Sequence, residues 1–156
     1  MRLKLLAASC LLLLAAACSN DSETNAMPPL RLPTLGGTMA PSLASCPDHK
    51  CLTVYVAPWC GACHMATPLI LELRRYLSSR GVATRIVVGM DEPAAVRQYA
   101  KAFGPDTLMD PAGDLRVDGT PYFFVSDGNG RILNEAAGMP MGISSLPDLA
   151  AAYGLP

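Results

Sequence analysis

Hydrophobic positions along the chain alternate between short continuous runs and segments whose apolar residues lie three or four positions apart. Leu52–Ala57 is an uncharged, β-branched run typical of a strand buried on both faces. Leu69, Leu73 and Leu77 follow a helical spacing that ends at Gly81. The whole pattern predicts, in chain order, strand Leu52–Ala57, helix Gly61–Arg80, strand Val82–Met90, helix Glu92–Phe103, hairpin strands Tyr122–Ser126 and Arg131–Glu135, and helix Ser144–Tyr153. This order indicates an α/β fold, a central mixed β-sheet with helices on both faces.

Residues 1–17 have the pattern of a secretory signal peptide. Arg2 and Lys4 precede Leu5–Ala17, which is apolar apart from Ser9 and too short for a good membrane-spanning helix of about 20 residues. The end of this segment, Leu14–Cys18, resembles the lipobox of bacterial lipoproteins, in which the cysteine becomes the lipidated first residue. This resemblance implies a lipid anchor on Cys18 in the bacterial envelope, and Ser19 resembles the residue that favours the outer membrane. Plain secretion, with Cys18 left as a free thiol, is the alternative.

Residues 18–45 are expected to be the lipidated cysteine and a flexible tether, and residues 46–156 the folded domain. Ser19–Ala44 is rich in Ser, Thr, Asn, Pro and Gly, a composition that seldom buries enough apolar surface to order itself. A flexible chain of that length would span roughly 30 Å. Leu30–Leu32 could still add a short edge strand.

Composition limits the function classes. The chain has 156 residues, with 12 Lys+Arg against 13 Asp+Glu. Losing residues 1–17 would remove two basic residues and leave a net charge of −3, so nothing suggests a nucleic-acid partner. The chain is also too short for a multidomain enzyme with its own dinucleotide fold. Of six cysteines, processing and lipidation would leave four, an even number that suits disulfide chemistry in an oxidising compartment.

The strongest chemical signal is the motif Cys60-Gly61-Ala62-Cys63, placed after a buried strand and at the start of a helix. The free N–H groups and partial positive charge of a helix N-terminus favour a thiolate. Cys60 is therefore predicted to be the attacking sulfur, and Cys63, one turn further, the sulfur that resolves the mixed disulfide.

From about Cys51 to Tyr153 the sequence resembles the thioredoxin superfamily. The resemblance depends on the strand before the motif, the motif itself, Pro68 five residues after Cys63, and Gly119-Thr120-Pro121 before the hairpin. It implies a thiol:disulfide oxidoreductase with a cis peptide bond before Pro121. Thr120 and Pro121 would then bind the substrate backbone, and Trp59 would shape the approach.

The same resemblance implies cysteine-containing envelope proteins as substrates and an unidentified partner that resets the dithiol. No dissolved cofactor is expected, because the dithiol stores the two electrons. Val54 stands where cytosolic thioredoxins have a buried Asp, and Gly61-Ala62 replaces their Gly-Pro, so thioredoxin-like reducing power is doubtful. The direction of electron flow stays open, with reductase or isomerase favoured.

His64 lies four residues after Cys60 on the predicted helix. Its imidazolium could stabilise the Cys60 thiolate, or it could be a solvent-facing residue with little effect, which is the preferred interpretation. Cys46 and Cys51 flank a predicted turn; a structural disulfide is favoured over a second redox pair or a metal site with His49.

Three other function classes remain open at this stage. Cys60-x-x-Cys63-His64 also matches the attachment motif of c-type haem, with Met139 or Met141 as a second axial ligand. The four cysteines could instead bind Zn or Cu together with His49 or His64. A binding module that lost turnover is the third. The methionines show no helical stripe and are interpreted as core filler.

Overall fold

A computed structural model of the protein describes residues 25–156. The predicted signal peptide, the predicted lipidation site at Cys18 and the first part of the predicted tether lie outside the described residues. Within the described part, no helix combines the length and the apolar character that crossing a membrane requires.

Eight elements form the described fold. In chain order they are β1 (Lys50–Val56), α1 (Gly61–Ser78), β2 (Val82–Gly89), α2 (Pro93–Ala100), β3 (Leu108–Asp110), β4 (Tyr122–Asp127), β5 (Ile132–Ala137) and α3 (Leu146–Ala152). Each predicted element is present, with its ends shifted by a few residues. β3 was not predicted, because three residues between two turns are too few to show a period.

The strands form one mixed sheet in the order β3-β2-β1-β4-β5. β1 is central and runs parallel to β2, with Lys50 opposite Val82, and antiparallel to β4, with Tyr55 opposite Tyr122. The side chains of β1 are buried from Cys51 onward on both faces, as its apolar sequence predicts. The loop that follows β1 therefore leaves the middle of a rigid sheet.

All three described helices pack on the same face of the sheet. Ile70 of α1, Val96 of α2 and Leu149 of α3 belong to one core with Val54 and Val88. The prediction of helices on both faces is therefore wrong for the described residues. On the opposite face, the alternate strand residues pack against irregular chain: Tyr55, Val87 and Phe124 contact a core that includes Met27, Leu32, Leu43 and Leu115.

Residues 25–45, which we call the strap, cover that second face. Its side chains of Met27, Leu32 and Leu43 are buried against the sheet, although the segment forms no regular strand or helix. The interpretation of residues 25–45 as a flexible tether, with a domain boundary at Cys46, is therefore wrong. The prediction failed because the Pro- and Gly-rich composition resembles that of a linker, and the apolar residues that pack on the sheet are few and widely spaced.

The strap also pairs with both edges of the sheet. At the β5 edge, the N–H of Met27 donates to the carbonyl of Gly130, at 2.8 Å. At the β3 edge, the N–H of Met109 donates to the carbonyl of Pro33, at 2.9 Å. These bonds occupy the start of the β5 edge and part of the β3 edge, so those positions cannot pair with strands of other chains.

Arg85 of β2 fastens the end of the strap. Its guanidinium donates to the carbonyl oxygens of Leu43 and Ser45, at 3.1 and 2.8 Å, and to the hydroxyl of Thr53, at 3.1 Å. Burial lowers the pKa of Arg85 to about 10. Arg85 forms no ion pair within residues 25–156, so the carbonyl groups of the strap provide much of its hydrogen bonding.

Candidate active site

Cys60 and Cys63 are joined by a disulfide where β1 leads into α1, with their Cα atoms 5.2 Å apart. Cys60 is the N-cap of α1, and the N–H of Cys63 donates to Cys60 Sγ at 3.0 Å. The first turn of α1 contains no acidic residue whose negative charge would repel a thiolate on Cys60. Both the hydrogen bond and the dipole favour negative charge on Cys60 Sγ after reduction.

The two sulfurs differ in accessibility. Cys60 is 5% exposed and Cys63 is fully buried, so Cys60 is the cysteine that an incoming thiol can reach. Its exposure is nevertheless small. Attack on Cys60 therefore requires a substrate that fits closely around the motif.

Thr120 and Pro121 lie directly against the disulfide. The peptide bond between them is cis, the form that the resemblance implies, and the carbonyl oxygen of Thr120 lies 3.4 Å from Cys60 Sγ. The hydroxyl of Thr120 is buried without a hydrogen-bond partner in the described part of the chain. These two residues, far from the motif in sequence, thus form one wall of the site.

Trp59 lies beside Cys60 with 61% of its surface exposed. Its indole N–H donates to the carbonyl of Met90, at 2.8 Å, so the ring is held even though it is accessible. Met90 has a φ of 54°, an uncommon conformation for a residue with a side chain. Its own N–H donates to the carbonyl of Asp110, at 3.1 Å, which connects Trp59 to the buried end of β3.

Asp110 anchors this end of the sheet. Its carboxylate accepts from the hydroxyl of Tyr55, at 3.0 Å, and from the backbone N–H groups of Asp114 and Leu115, at 2.9 and 3.0 Å. Burial, followed by the nearby Asp110 charge, raises the pKa of Tyr55 far above its ordinary value. A side chain on Gly89 would collide with the Tyr55 hydroxyl. These bonds assign Asp110 a structural role that the sequence did not indicate.

His64 is exposed, but its ring is engaged. Nε2 donates to the carbonyl of Pro58, at 2.7 Å, and the ring packs on Tyr99 with centroids 4.3 Å apart. Burial raises the pKa of Tyr99, whose hydroxyl is 2.9 Å from that of Thr67. His64 therefore links the loop before Cys60 to α1 and α2. The preferred interpretation, a solvent-facing residue with little effect, describes its exposure but misses these contacts.

An apolar groove of about 400 Å³ opens beside the disulfide. Its lining comes from α1, from the Thr120–Pro121 turn, from the loop after β5 and from α3, and it includes Ala62, Met65, Leu69, Pro121, Met139 and Leu149. Met65 is 79% exposed, and the nearby Met141, which does not line the groove, is 97% exposed. The interpretation of the methionines as core filler is therefore wrong for Met65 and Met141. Sequence reasoning missed the groove because its walls come from segments that are far apart in the chain.

The second cysteine pair, Cys46–Cys51, is also a disulfide, with a Cα separation of 5.8 Å. It fastens the end of the strap to the start of β1, whereas Cys60 follows the end of that strand. Five residue steps along β1 lead from Cys51 to Val56, roughly 17 Å along an extended strand. The two pairs therefore cannot exchange sulfurs directly, and a single metal site built from all four cysteines is wrong.

The two metal-based alternatives meet further obstacles. No group of three or more His, Cys, Asp or Glu in residues 25–156 is arranged to hold a metal ion. Haem attachment would need both Cys60 and Cys63, which are bonded to each other, and an imidazole whose Nε2 already donates to Pro58. The arrangement favours redox chemistry of the Cys60–Cys63 pair.

Neither a protein-family model nor a curated protein matches the chain. Solved structures do. The exposed lipoprotein thioredoxin Etrx1 of Streptococcus pneumoniae has a TM-score of 0.63 at 18% identity, over 80% of this chain and 96% of that chain. A thioredoxin-family thiol:disulfide interchange protein of Chlorobium tepidum has a TM-score of 0.58 at 19% identity, over 85% and 98%.

A secreted disulfide oxidoreductase of Mycobacterium tuberculosis has a TM-score of 0.58 at 13% identity, over 79% of this chain and 92% of that chain. The chain has the thioredoxin fold. This finding confirms the fold that the motif and its surroundings imply, with the Cys60–Cys63 pair at the start of the first long helix. At these identities the similarity establishes the fold, whereas activity depends on the site itself.

Proposed function

We propose that this protein is an extracytoplasmic thiol:disulfide oxidoreductase that exchanges the Cys60–Cys63 disulfide or dithiol with cysteines of envelope proteins. The observation that carries the proposal is the position of Cys60 Sγ. It lies at the N-terminus of α1, 3.4 Å from the Thr120 carbonyl and beside an open apolar groove.

In the reducing direction, the Cys60 thiolate attacks one sulfur of a substrate disulfide. A mixed disulfide forms between Cys60 and the substrate, and the other substrate sulfur leaves as a thiolate that takes a proton from water. The helix N-terminus and the N–H of Cys63 stabilise the attacking anion. Cys60 performs this step because Cys63 is fully buried.

Cys63 completes the exchange. The Cys63 thiol gives up its proton and its sulfur attacks Cys60 Sγ, so that the Cys60–Cys63 disulfide forms and the bond from Cys60 to the substrate breaks. The second substrate sulfur leaves as a thiolate that takes up a proton. Two electrons pass from the dithiol to the substrate disulfide. In the oxidising direction the same steps run in reverse, beginning with attack of a substrate thiolate on Cys60 Sγ.

The groove and the Thr120–Pro121 turn supply a place for the substrate. An extended segment that carries the cysteine would place an apolar side chain against Met65 and Met139 while its backbone meets Thr120. Trp59 forms the opposite side of the approach.

Location is part of the proposal. The predicted signal peptide and the lipobox ending at Cys18 support a lipid-anchored protein on the periplasmic side of the bacterial envelope, at the outer membrane if Ser19 acts as its resemblance implies. Two structural neighbours are described as an exposed lipoprotein and as a secreted protein, which agrees with this placement. A separate redox partner would reset the dithiol.

Trapping tests the assignment of the two sulfurs. With Cys63→Ser, the mixed disulfide on Cys60 should accumulate when an oxidised peptide is added to the pre-reduced protein, since the resolving thiol is missing. With Cys60→Ser, neither trapping nor turnover should occur. Cys46→Ser/Cys51→Ser is the matched control and should retain turnover. Equal activity of Cys60→Ser and the unmodified protein would refute the proposal.

The reduction potential of the pair determines the direction. A value near the roughly −270 mV of thioredoxin indicates a reductase, and one near the roughly −120 mV of a strong oxidant indicates an oxidase. Intermediate values are expected for an isomerase. We favour the reducing or isomerising range.

His64 offers a further test of this site. The pH dependence of Cys60 alkylation in the reduced protein reports its thiolate, and His64→Ala should shift the midpoint upward if the imidazolium stabilises that anion. His64→Gln is the control, because its amide can still donate to the Pro58 carbonyl without a positive charge. A midpoint that neither variant shifts leaves His64 only the role of fixing the loop.

A further inference from the structure

We propose that the protein is attached to its membrane anchor at the end of the sheet opposite the active site, so that the Cys60–Cys63 pair faces away from the anchoring membrane. This inference rests on the lipidation of Cys18 that forms part of the proposed function. It goes further by stating which substrate cysteines the anchored enzyme can reach.

The strap enters the fold beside the turn between β4 and β5. The carbonyl of Asn25 accepts the N–H of Ile132, at 2.8 Å, and the N–H of Met27 donates to the carbonyl of Gly130, also at 2.8 Å. Ala26 forms a bridge with Arg131. The described chain therefore begins, at Asn25, beside the start of β5.

The active site lies at the other end of the same strand. Ala137, the last residue of β5, pairs with Tyr122, which follows Pro121. Tyr122 in turn pairs with Tyr55, at the end of β1 that leads to Cys60. Five residue steps separate Ile132 from Ala137, about 17 Å along a strand, and Cys60 lies beyond that end.

The connection between anchor and domain is short. Seven residue steps lead from Cys18 to Asn25, which span at most about 25 Å even when fully extended. A tether ending at Cys46 would have allowed the domain to turn freely. Because the strap is packed on the sheet and pinned at both edges, that length is unavailable to the anchor.

This geometry limits which substrate cysteines can reach Cys60. Cys60 could approach the headgroups only if the connection were almost fully extended and the domain inverted above it. The accessible partners are therefore cysteines on segments that project into the aqueous compartment, and cysteines held at the surface of the same bilayer are poor substrates.

Lipid quenching of tryptophan fluorescence tests the orientation, because Trp59 is the only tryptophan and lies at the active-site end. The lipidated full chain, kept oxidised, is placed in phosphatidylethanolamine/phosphatidylglycerol vesicles containing a nitroxide-headgroup lipid. The comparison is Trp59→Phe/Asn129→Trp, which moves the reporter to the exposed tip of the β4–β5 turn. The nitroxide should quench the Asn129→Trp reporter several-fold more strongly than Trp59.

Stronger quenching of Trp59 than of the Asn129→Trp reporter, or equal quenching, would overturn the inference. So would mass spectrometry showing no lipid on Cys18. Neither result depends on thiol exchange, which the Cys60→Ser comparison measures separately.

A functional comparison uses one disulfide peptide, either free or attached to a lipid by a short spacer. The vesicle-bound protein should reduce the free peptide several-fold faster. Inserting about 20 Gly/Ser residues between Ser22 and Glu23 should remove the difference. Equal rates without the insertion would contradict the proposed orientation.

Discussion

Replacing Leu43 by Ala tests whether the strap is part of the folded domain. Leu43 is fully buried against the second face of the sheet, and truncating a buried leucine to alanine costs about 2–5 kcal/mol. We expect a loss of about 3 kcal/mol, because the strap is held at both sheet edges and cannot collapse freely into the cavity. If residues 25–45 were a flexible tether, the same change would cost nothing.

The assay is urea unfolding of the oxidised protein, followed by Trp59 fluorescence. With a slope of about 1.5 kcal/mol per molar urea, the expected loss lowers the midpoint by about 2 M. Leu133→Ala is the matched control, because Leu133 is 43% exposed on β5 and its truncation should change stability by less than about 0.5 kcal/mol. A midpoint for Leu43→Ala that stays within about 0.3 M of the unmodified protein would refute the packed strap.

Three further predictions follow from the site and its supports. Tyr55→Phe should cost about 1–3 kcal/mol at neutral pH, because it leaves a buried carboxylate short of a donor. Because the pKa of Tyr55 is raised in the folded state, its neutral phenol stabilises the fold below about pH 10, and this contribution is lost as the pH rises further. Tyr55→Phe should therefore also flatten the alkaline decline in the urea midpoint. Cys46→Ser/Cys51→Ser should lower stability by about 2 kcal/mol while turnover is retained; lost turnover at native stability would instead indicate a redox role. Met139→Glu should lower kcat/KM for apolar disulfide peptides by about tenfold or more but leave reaction with a small disulfide unchanged. Met141→Glu, outside the groove, should change neither rate.

Local signals in the sequence were sufficient to predict the central part of the fold. The apolar run of β1, the helical spacing of α1 and the turn residues between β4 and β5 each correspond to an observed element. These signals depend on neighbours within a few residues, so they survive without tertiary information. The motif at the β1–α1 junction could be recognised for the same reason.

The strap shows where local signals fail. Its buried residues, Met27, Leu32 and Leu43, are too far apart to form a period, and its prolines and glycines resemble those of a linker. Only the exposed second face of the sheet makes burial of those residues favourable. The groove beside the disulfide was invisible for a related reason, because Met65 and Met139 are 74 positions apart in the chain.

The amino-acid sequence alone therefore identified the Cys60–Cys63 motif, the order of most elements and the predicted export signal, because each depends on residues close together in the chain. Tertiary structure decided how far the domain extends, which distant residues line the groove and where residues 25–27 join the sheet. Those properties arise from strand register and from packing between distant segments, which no local pattern encodes.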